Sequence, residues 1–201
     1  MFLTSCSNFF SEKNGGLILP DGFEAVVVVD SLPGRARHLA VNENGDIYVK
    51  GNRFVEGGMN FVLRDENKDG RADIIKNFGP KIREGAYATS MRIHNGYLYT
   101  SSEMLVYRYK LDPKSMLPMG EPEYIVIDSG RRREHDGKPL AFDGKGHIFV
   151  LFGAPSDACQ VENRLPGSPG MLPCPILDSN AGVWMFDENK LNQFRTVDGV
   201  K

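Results

Sequence analysis

The chain has 201 residues, 41% of them hydrophobic, with 24 basic and 26 acidic side chains and a formal net charge of −2. That balance gives no electrostatic footprint for nucleic acid, no apolar run approaches the ~20 residues that span a bilayer, and the length suffices to bury a core. The 22 glycines and 12 prolines are spread along the chain, as short strands and many turns require, and no stretch of a dozen residues carries a helical period.

At the N-terminus, Leu3-Thr4-Ser5-Cys6 resembles the end of a bacterial lipoprotein signal, with Cys6 as the lipidated residue and Ser7 to Gly16 as a flexible tether. The charged and apolar regions of such a signal are almost absent upstream, so a cysteine without a role near a ragged end is the competing reading. Lipid attachment at Cys6 is the only route to a membrane that the sequence offers.

Three hairpins follow at one spacing. The first runs from Leu39 to Lys50 through Asn44-Gly45, the second from Met91 to Thr100 through Asn95-Gly96, and the third from Leu140 to Leu151 through Asp143-Gly144. Asn and Gly tolerate the positive φ that such turns demand. The copies start about fifty residues apart. Segments 60–64, 74–78, 105–109, 124–127 and 182–186 supply further short strands. A period of roughly 40–50 residues with four strands per unit is the signature of a β-propeller blade; a β-sandwich is the alternative all-β reading. A propeller closes with typically 4–8 blades, so the expected organisation is a tether over 1–16 and a partial propeller over 17–201. Thr196 to Lys201 add no closing strand. The expectation is therefore the N-terminal portion of a longer protein, covering roughly three to four blades.

Between two of these strands, Asp65-Glu66-Asn67-Lys68-Asp69-Gly70-Arg71-Ala72-Asp73 follows a D-x-N-x-D-G-x-x-D pattern. Side-chain oxygens of Asp65, Asn67, Asp69 and Asp73, with the carbonyl of Arg71, suit a hard cation such as Ca²⁺. The usual twelfth-position glutamate is missing, and Lys76 stands there. Two readings stay open, a structural calcium loop between strands and a solvated acidic turn.

Cys159 and Cys174 lie in one long Pro- and Gly-rich loop after the third hairpin. A disulfide between them would close about 16 residues and contribute roughly 3 kcal/mol on the chain-entropy model. It would fit an extracytoplasmic compartment, periplasmic or cell-surface. Two free thiols are the alternative. The basic run Arg131-Arg132-Arg133 sits beside Glu134 and Asp136 and reads as a solvated loop.

His135, ahead of the strand Leu140-Ala141-Phe142 and its partner Ile148-Phe149-Val150, together with Leu19-Pro20-Asp21-Gly22-Phe23, Ala36-Arg37-His38-Leu39-Ala40-Val41 and Ala181-Gly182-Val183-Trp184-Met185-Phe186-Asp187, resembles the quinoprotein sugar dehydrogenases. These include soluble glucose dehydrogenase, the sorbosone dehydrogenases and the fungal pyranose dehydrogenases; the cysteine-bearing insert is most similar to the sorbosone branch. The resemblance covers most of residues 17–201. It implies a six-bladed propeller in the full-length family, holding pyrroloquinoline quinone (PQQ) at the top of its channel. His135 would be the base that takes the sugar hydroxyl proton while hydride passes to the quinone. Arg37 and His38 would face the channel mouth, with Arg37 against a quinone carboxylate. The family's cofactor-binding Arg-Asn segment would fall beyond Lys201. A cytochrome c is the electron acceptor the family suggests, and no Cys-x-x-Cys-His haem attachment occurs in this chain.

Imidazole suits the base because it titrates near neutrality, and Asp136 or Glu134 could raise its basicity, though neither need point at the ring. The competing reading of His135 is a loop histidine bonded to backbone. His94, next to its turn, is expected to face solvent, and His147 to have no role. The competing functions are a non-catalytic propeller that binds a glycan or protein, and a calcium-dependent propeller hydrolase acting on lactones. The hydrolase needs carboxylates and asparagines lining a channel around one metal; the only clear carboxylate cluster is the strand-connecting loop.

Overall fold

The computed structural model describes residues 13–53, 55–79, 90–128 and 134–201. Cys6 and the run Arg131 to Arg133 lie outside the described residues, so the expectations made for them have no structural counterpart here. Among the described residues the chain is all-β, with three sheets and helix only in single turns.

Sheet one is an antiparallel meander of β1 (Ala36–Val41), β2 (Ile47–Gly51), β3 (Asn60–Arg64) and β4 (Ile74–Phe78). Sheet two repeats the pattern with β5 (Ser90–His94), β6 (Tyr97–Ser101), β7 (Leu105–Lys110) and β8 (Met119–Ile127). Sheet three is β9 (Leu140–Phe142), β10 (His147–Leu151) and β11 (Val183–Asp187), with the cysteine-bearing insert between β10 and β11. That insert ends in a single helical turn, α1 (Ile176–Ser179). The chain then returns to sheet two: β12 (Gln193–Phe194) pairs parallel with the edge of β8. A last turn, α2 (Arg195–Asp198), leads to Val200, which exchanges two backbone hydrogen bonds with Met185 on the free edge of β11.

The turns carry the chemistry expected of them. Asn95 and Gly96 adopt φ of 47° and 75°, the two-residue hairpin geometry in which both central residues have positive φ. In the third hairpin the Asp143 carboxylate accepts the backbone N–H of Lys145 at 2.7 Å and of His147 at 3.1 Å, and meets His147 Nδ1 at 2.7 Å. Partial burial would raise the Asp143 pKa, but these hydrogen bonds outweigh it and hold the carboxyl at about 2. Its folded pKa is depressed, so the turn's contribution to stability is full above the ordinary aspartate range near pH 4 and is lost as pH falls through about 2. Acid unfolding of wild type and Asp143→Asn should therefore differ above pH 4 and converge below pH 2; parallel curves throughout would show that the carboxylate contributes nothing.

Side-chain alternation with period 2 explains why the sheets stack. Tyr48 and Val62 of sheet one join Met91 and Leu98 of sheet two in one buried cluster, while their neighbours Val49, Phe61 and Leu63 form another on the opposite face of sheet one. On β6, Leu98 faces sheet one and Tyr99 faces sheet three, where it meets Val106, Ile125, Ile148, Val150, Trp184 and Phe186. The first strands of the sheets also neighbour one another, β1 beside β5 and β5 beside β9. On the outer face of sheet one Val28, Val29 and Leu32 cover Val49, Phe61 and Leu63 but leave Leu39 and Val41 exposed, and on sheet three Leu151 and Val183 are exposed.

Among the polar contacts that join sheets two and three, two centre on His94 and Asp128. The His94 ring stacks on Phe142 (4.1 Å between centroids, 13° between planes), and its Nε2 lies 3.1 Å from Glu188. This corrects the expectation of an exposed His94: the turn is at the surface, but the ring points back against sheet three. The second is a buried ion-pair triad. Asp128, following β8, lies 3.2 Å from Lys138 Nζ and 3.3 Å from Arg195 Nε. Asp128 and Lys138 are each 1% exposed. Lys138 also donates to the carbonyl of Glu103 and lies over the Phe152 ring.

Candidate active site

The segment ahead of β9 is anchored by buried Lys138 and carries Glu134 and His135 to the surface. The main chain of His135 is pinned from the other side by residues following β10. Its N–H donates to the Ala154 carbonyl at 3.2 Å. The approach to Gly153 is so close that a Cβ there would fall 1.6 Å from the His135 carbonyl oxygen. Only glycine permits that contact.

Around the imidazole, ligand-type atoms of Glu134, His135 and Asp157 lie within 4.8 Å of one another, the one such trio among the described residues. Asp157 comes from the insert. The same insert delivers Arg164, whose Nη2 is 2.6 Å from Glu134 and 2.8 Å from Asp157, and Asn163, whose Nδ2 donates to Glu134 Oε1 at 3.0 Å. The insert is itself tied. Cys159 and Cys174 are disulfide-bonded with Cα atoms 6.0 Å apart, Met171 N–H donates to Cys159 O at 2.9 Å, and Gln160 bridges Gly170. Asp157, Asn163 and Arg164 carry no local sequence signal, because only the folding back of the insert brings them to His135.

The ring of His135 makes no hydrogen bond among the described residues, and it is exposed. The rings of His94 and His147 each meet a carboxylate through one nitrogen, Nε2 of His94 with Glu188 and Nδ1 of His147 with Asp143. An exposed imidazole can accept a proton from a hydroxyl.

Arg37 and His38 stand on β1, in sheet one, with sheet two between them and His135. Burial, then the neighbouring guanidinium groups of Arg37 and Arg92, push the His38 pKa down. His38 is therefore a neutral ring at pH 7, and the positive charge of the pair resides on exposed Arg37.

The acidic loop connects β3 to β4. Its side-chain oxygens bond the loop's own amides: Asp65 accepts from Lys68 and Gly70 (both 2.7 Å), Asn67 from Asp69 (2.9 Å), Asp69 from Arg71 (2.8 Å), and Asp73 from Glu66 (2.8 Å) and Asn67 (3.2 Å). The Arg71 guanidinium reaches Asp30 at 2.9 Å. A separate groove of about 640 Å³ lies between the first two hairpins, lined in part by Asn42, Asn44, His94 and Asn95.

No protein-family model matches the chain, and no curated protein does. Solved structures match. The holo form of the pyranose dehydrogenase PQQ domain from Coprinopsis cinerea superimposes with a TM-score of 0.62 and 14% identity, over 86% of this chain and 39% of that one. Over the matched residues the chain has the fold of about two fifths of that PQQ domain. The calcium structure of a Trichoderma reesei carbohydrate-active enzyme of family AA12 gives a TM-score of 0.61 and 10% identity, over 85% of this chain and 41% of that one. Its iodide structure gives the same TM-score at 11% identity. The chain spans about two fifths of the length of these structures. The family resemblance read from His135 and the three hairpins thus meets a solved PQQ domain of the same fold.

Proposed function

We propose that the protein is a PQQ-dependent oxidoreductase acting on a sugar, an aldose, sorbosone or pyranose, with His135 as the base. The observation that carries this reading is the His135 imidazole, exposed, without a hydrogen-bond partner among the described residues, and within 4.8 Å of Glu134 and Asp157 in a chain that shares the fold of part of a PQQ domain. When bound, PQQ supplies a two-electron acceptor for the substrate hydride. The chain's own part is to hold the sugar hydroxyl against the imidazole, accept its proton on a ring nitrogen, and stabilise the imidazolium through the two carboxylates. Arg37 would hold the cofactor through a carboxylate, as planar guanidinium groups do well, and His38 would contribute a neutral ring beside it.

In this reading the three sheets are successive blades of a six-bladed propeller, and the remaining blades cover the apolar outer faces around Leu39 and Val183. The neighbouring first strands β1, β5 and β9 support it, since blades of a propeller share an axis through their first strands. The disulfide favours an extracytoplasmic location, with Cys6 as lipid anchor and a cytochrome c as electron acceptor. No helix among the described residues is long and apolar enough to cross a membrane.

Titration of the complete protein with PQQ, followed by the quinone absorbance, tests the reading. One equivalent should bind saturably. Absence of binding would leave a glycan- or protein-binding module, for which the groove lined by Asn42, Asn44 and Asn95 is the candidate surface.

The loop from Asp65 to Asp73 is proposed as a structural Ca²⁺ site. Its oxygens are hard donors, and their bonds to loop amides already impose the tight turn. A site saturated a hundredfold above its Kd stabilises by about 2.7 kcal/mol. A chelator should therefore lower the melting temperature by several degrees, and Asp69→Ala should abolish the difference; an unchanged melting temperature would refute the site.

A further inference from the structure

We infer that Arg164 is a positioning residue of the His135 site, acting from the tip of the disulfide-tied insert. The inference rests on the reading of His135 as the base. Residues 159–171 form a narrow arm. Its root is closed by the Cys159–Cys174 bond and the Met171 to Cys159 hydrogen bond, and its tip turns where Leu165 N–H donates to Glu162 O at 3.3 Å. At that tip Arg164 has φ of 56°, a left-handed turn conformation that few non-glycine residues adopt.

From this turn the guanidinium grips the site. Arg164 Nη2 lies between Glu134 and Asp157, and Nε adds a second hydrogen bond to Asp157 at 2.9 Å. Glu134 is held at both oxygens, Oε1 by Asn163 and Oε2 by Arg164. Asn163 is braced in turn by the Ser156 hydroxyl. Without the guanidinium, Glu134 and Asp157 would repel each other across the same 4.8 Å cluster. His135 follows Glu134 directly, so a displaced Glu134 moves the ring. The His135 N–H bond to Ala154 fixes the peptide that joins the two residues, whereas the Glu134 carboxylate beside the ring is held by Asn163 and Arg164. The arm therefore sets the direction of the imidazole without touching the reacting hydroxyl.

The test uses Arg164→Ala and Arg164→Lys in the complete protein, read in two ways. Amide hydrogen exchange at His135 and over residues 156–168 requires no activity. It should accelerate about fivefold in Arg164→Ala, the scale of an exposed but networked ion pair. Steady-state kinetics of the PQQ-loaded protein should show kcat reduced about tenfold with KM for the sugar within twofold, because a misdirected base slows chemistry more than binding. Arg164→Lys, which keeps the charge but cannot span both carboxylates, should recover part of each effect. Unchanged exchange and kcat in Arg164→Ala would overturn the inference, as would a raised KM at unchanged kcat. If exchange accelerates while the wild-type protein shows no sugar oxidation, the oxidoreductase reading falls and the arm's hold on His135 stands.

Discussion

Replacing His135 by Gln is expected to lower kcat/KM for the sugar by roughly 100- to 10,000-fold, the range that a positioned general base contributes. Glutamine keeps a polar group of similar reach at the surface, so the fold and the grip of Arg164 on Glu134 and Asp157 remain. What it removes is the ring nitrogen that accepts the proton. PQQ affinity should change by less than about twofold, since the proposed cofactor contacts lie on sheet one at Arg37 and His38; an equal loss in kcat and in kcat/KM marks a group that acts in the transition state. Gly153→Ala makes the complementary case. Its Cβ would fall 1.6 Å from the His135 carbonyl oxygen, so the histidine must move although its chemistry is intact. A comparable loss of activity in both variants, measured as dye reduction with an aldose panel, would tie the reaction to the placement of this one imidazole. Activity within threefold of wild type in His135→Gln would remove it from the mechanism.

Asp128→Ala is expected to destabilise the protein by about 3–5 kcal/mol, the effect of removing one partner of a buried ion pair. Asp128 is shared here by two cations, Lys138 and Arg195, both almost wholly inside. Bringing water to these groups requires opening the junction between sheets two and three. That junction also seats the Phe152 ring under Lys138 and Arg195. The effect reaches the active site, because Lys138 anchors the segment that carries His135 three residues earlier. Urea unfolding should show a lower midpoint with an unchanged slope. An unchanged midpoint would mean that the triad is a solvated surface feature.

Much of the fold was legible because hairpins announce themselves locally. Asn95-Gly96 can hardly be anything but a two-residue turn, and the expected strands 60–64 and 74–78 coincide with β3 and β4. Alternation was harder to use. Strands β2, β3 and β6 are buried on both faces, so Tyr48-Val49 and Leu98-Tyr99 read as continuous apolar runs although successive side chains enter different cores. The parallel return of β12 to β8 left no sequence trace; two residues suffice, and their partners lie 67 positions away. Lys138 sits in a polar stretch that reads as a surface loop, and its burial depends on Asp128 and Arg195, which are distant in sequence. His94 was misread for a related reason. Proximity to a turn implies exposure only when no other sheet covers it, and Phe142 and Glu188 do. At the candidate site, His135 stood out through resemblance, whereas Asp157, Asn163 and Arg164 reach it only because the insert folds back across the sheet.

The most direct measurement is a crystal structure of the complete protein with PQQ and an unreactive sugar analogue. The account predicts the analogue's hydroxyl within hydrogen-bond distance of a His135 ring nitrogen, with Arg164 still bridging Glu134 and Asp157. An analogue seated instead between the first two hairpins against Asn42 and Asn95, with the His135 ring directed away from any ligand, would contradict it.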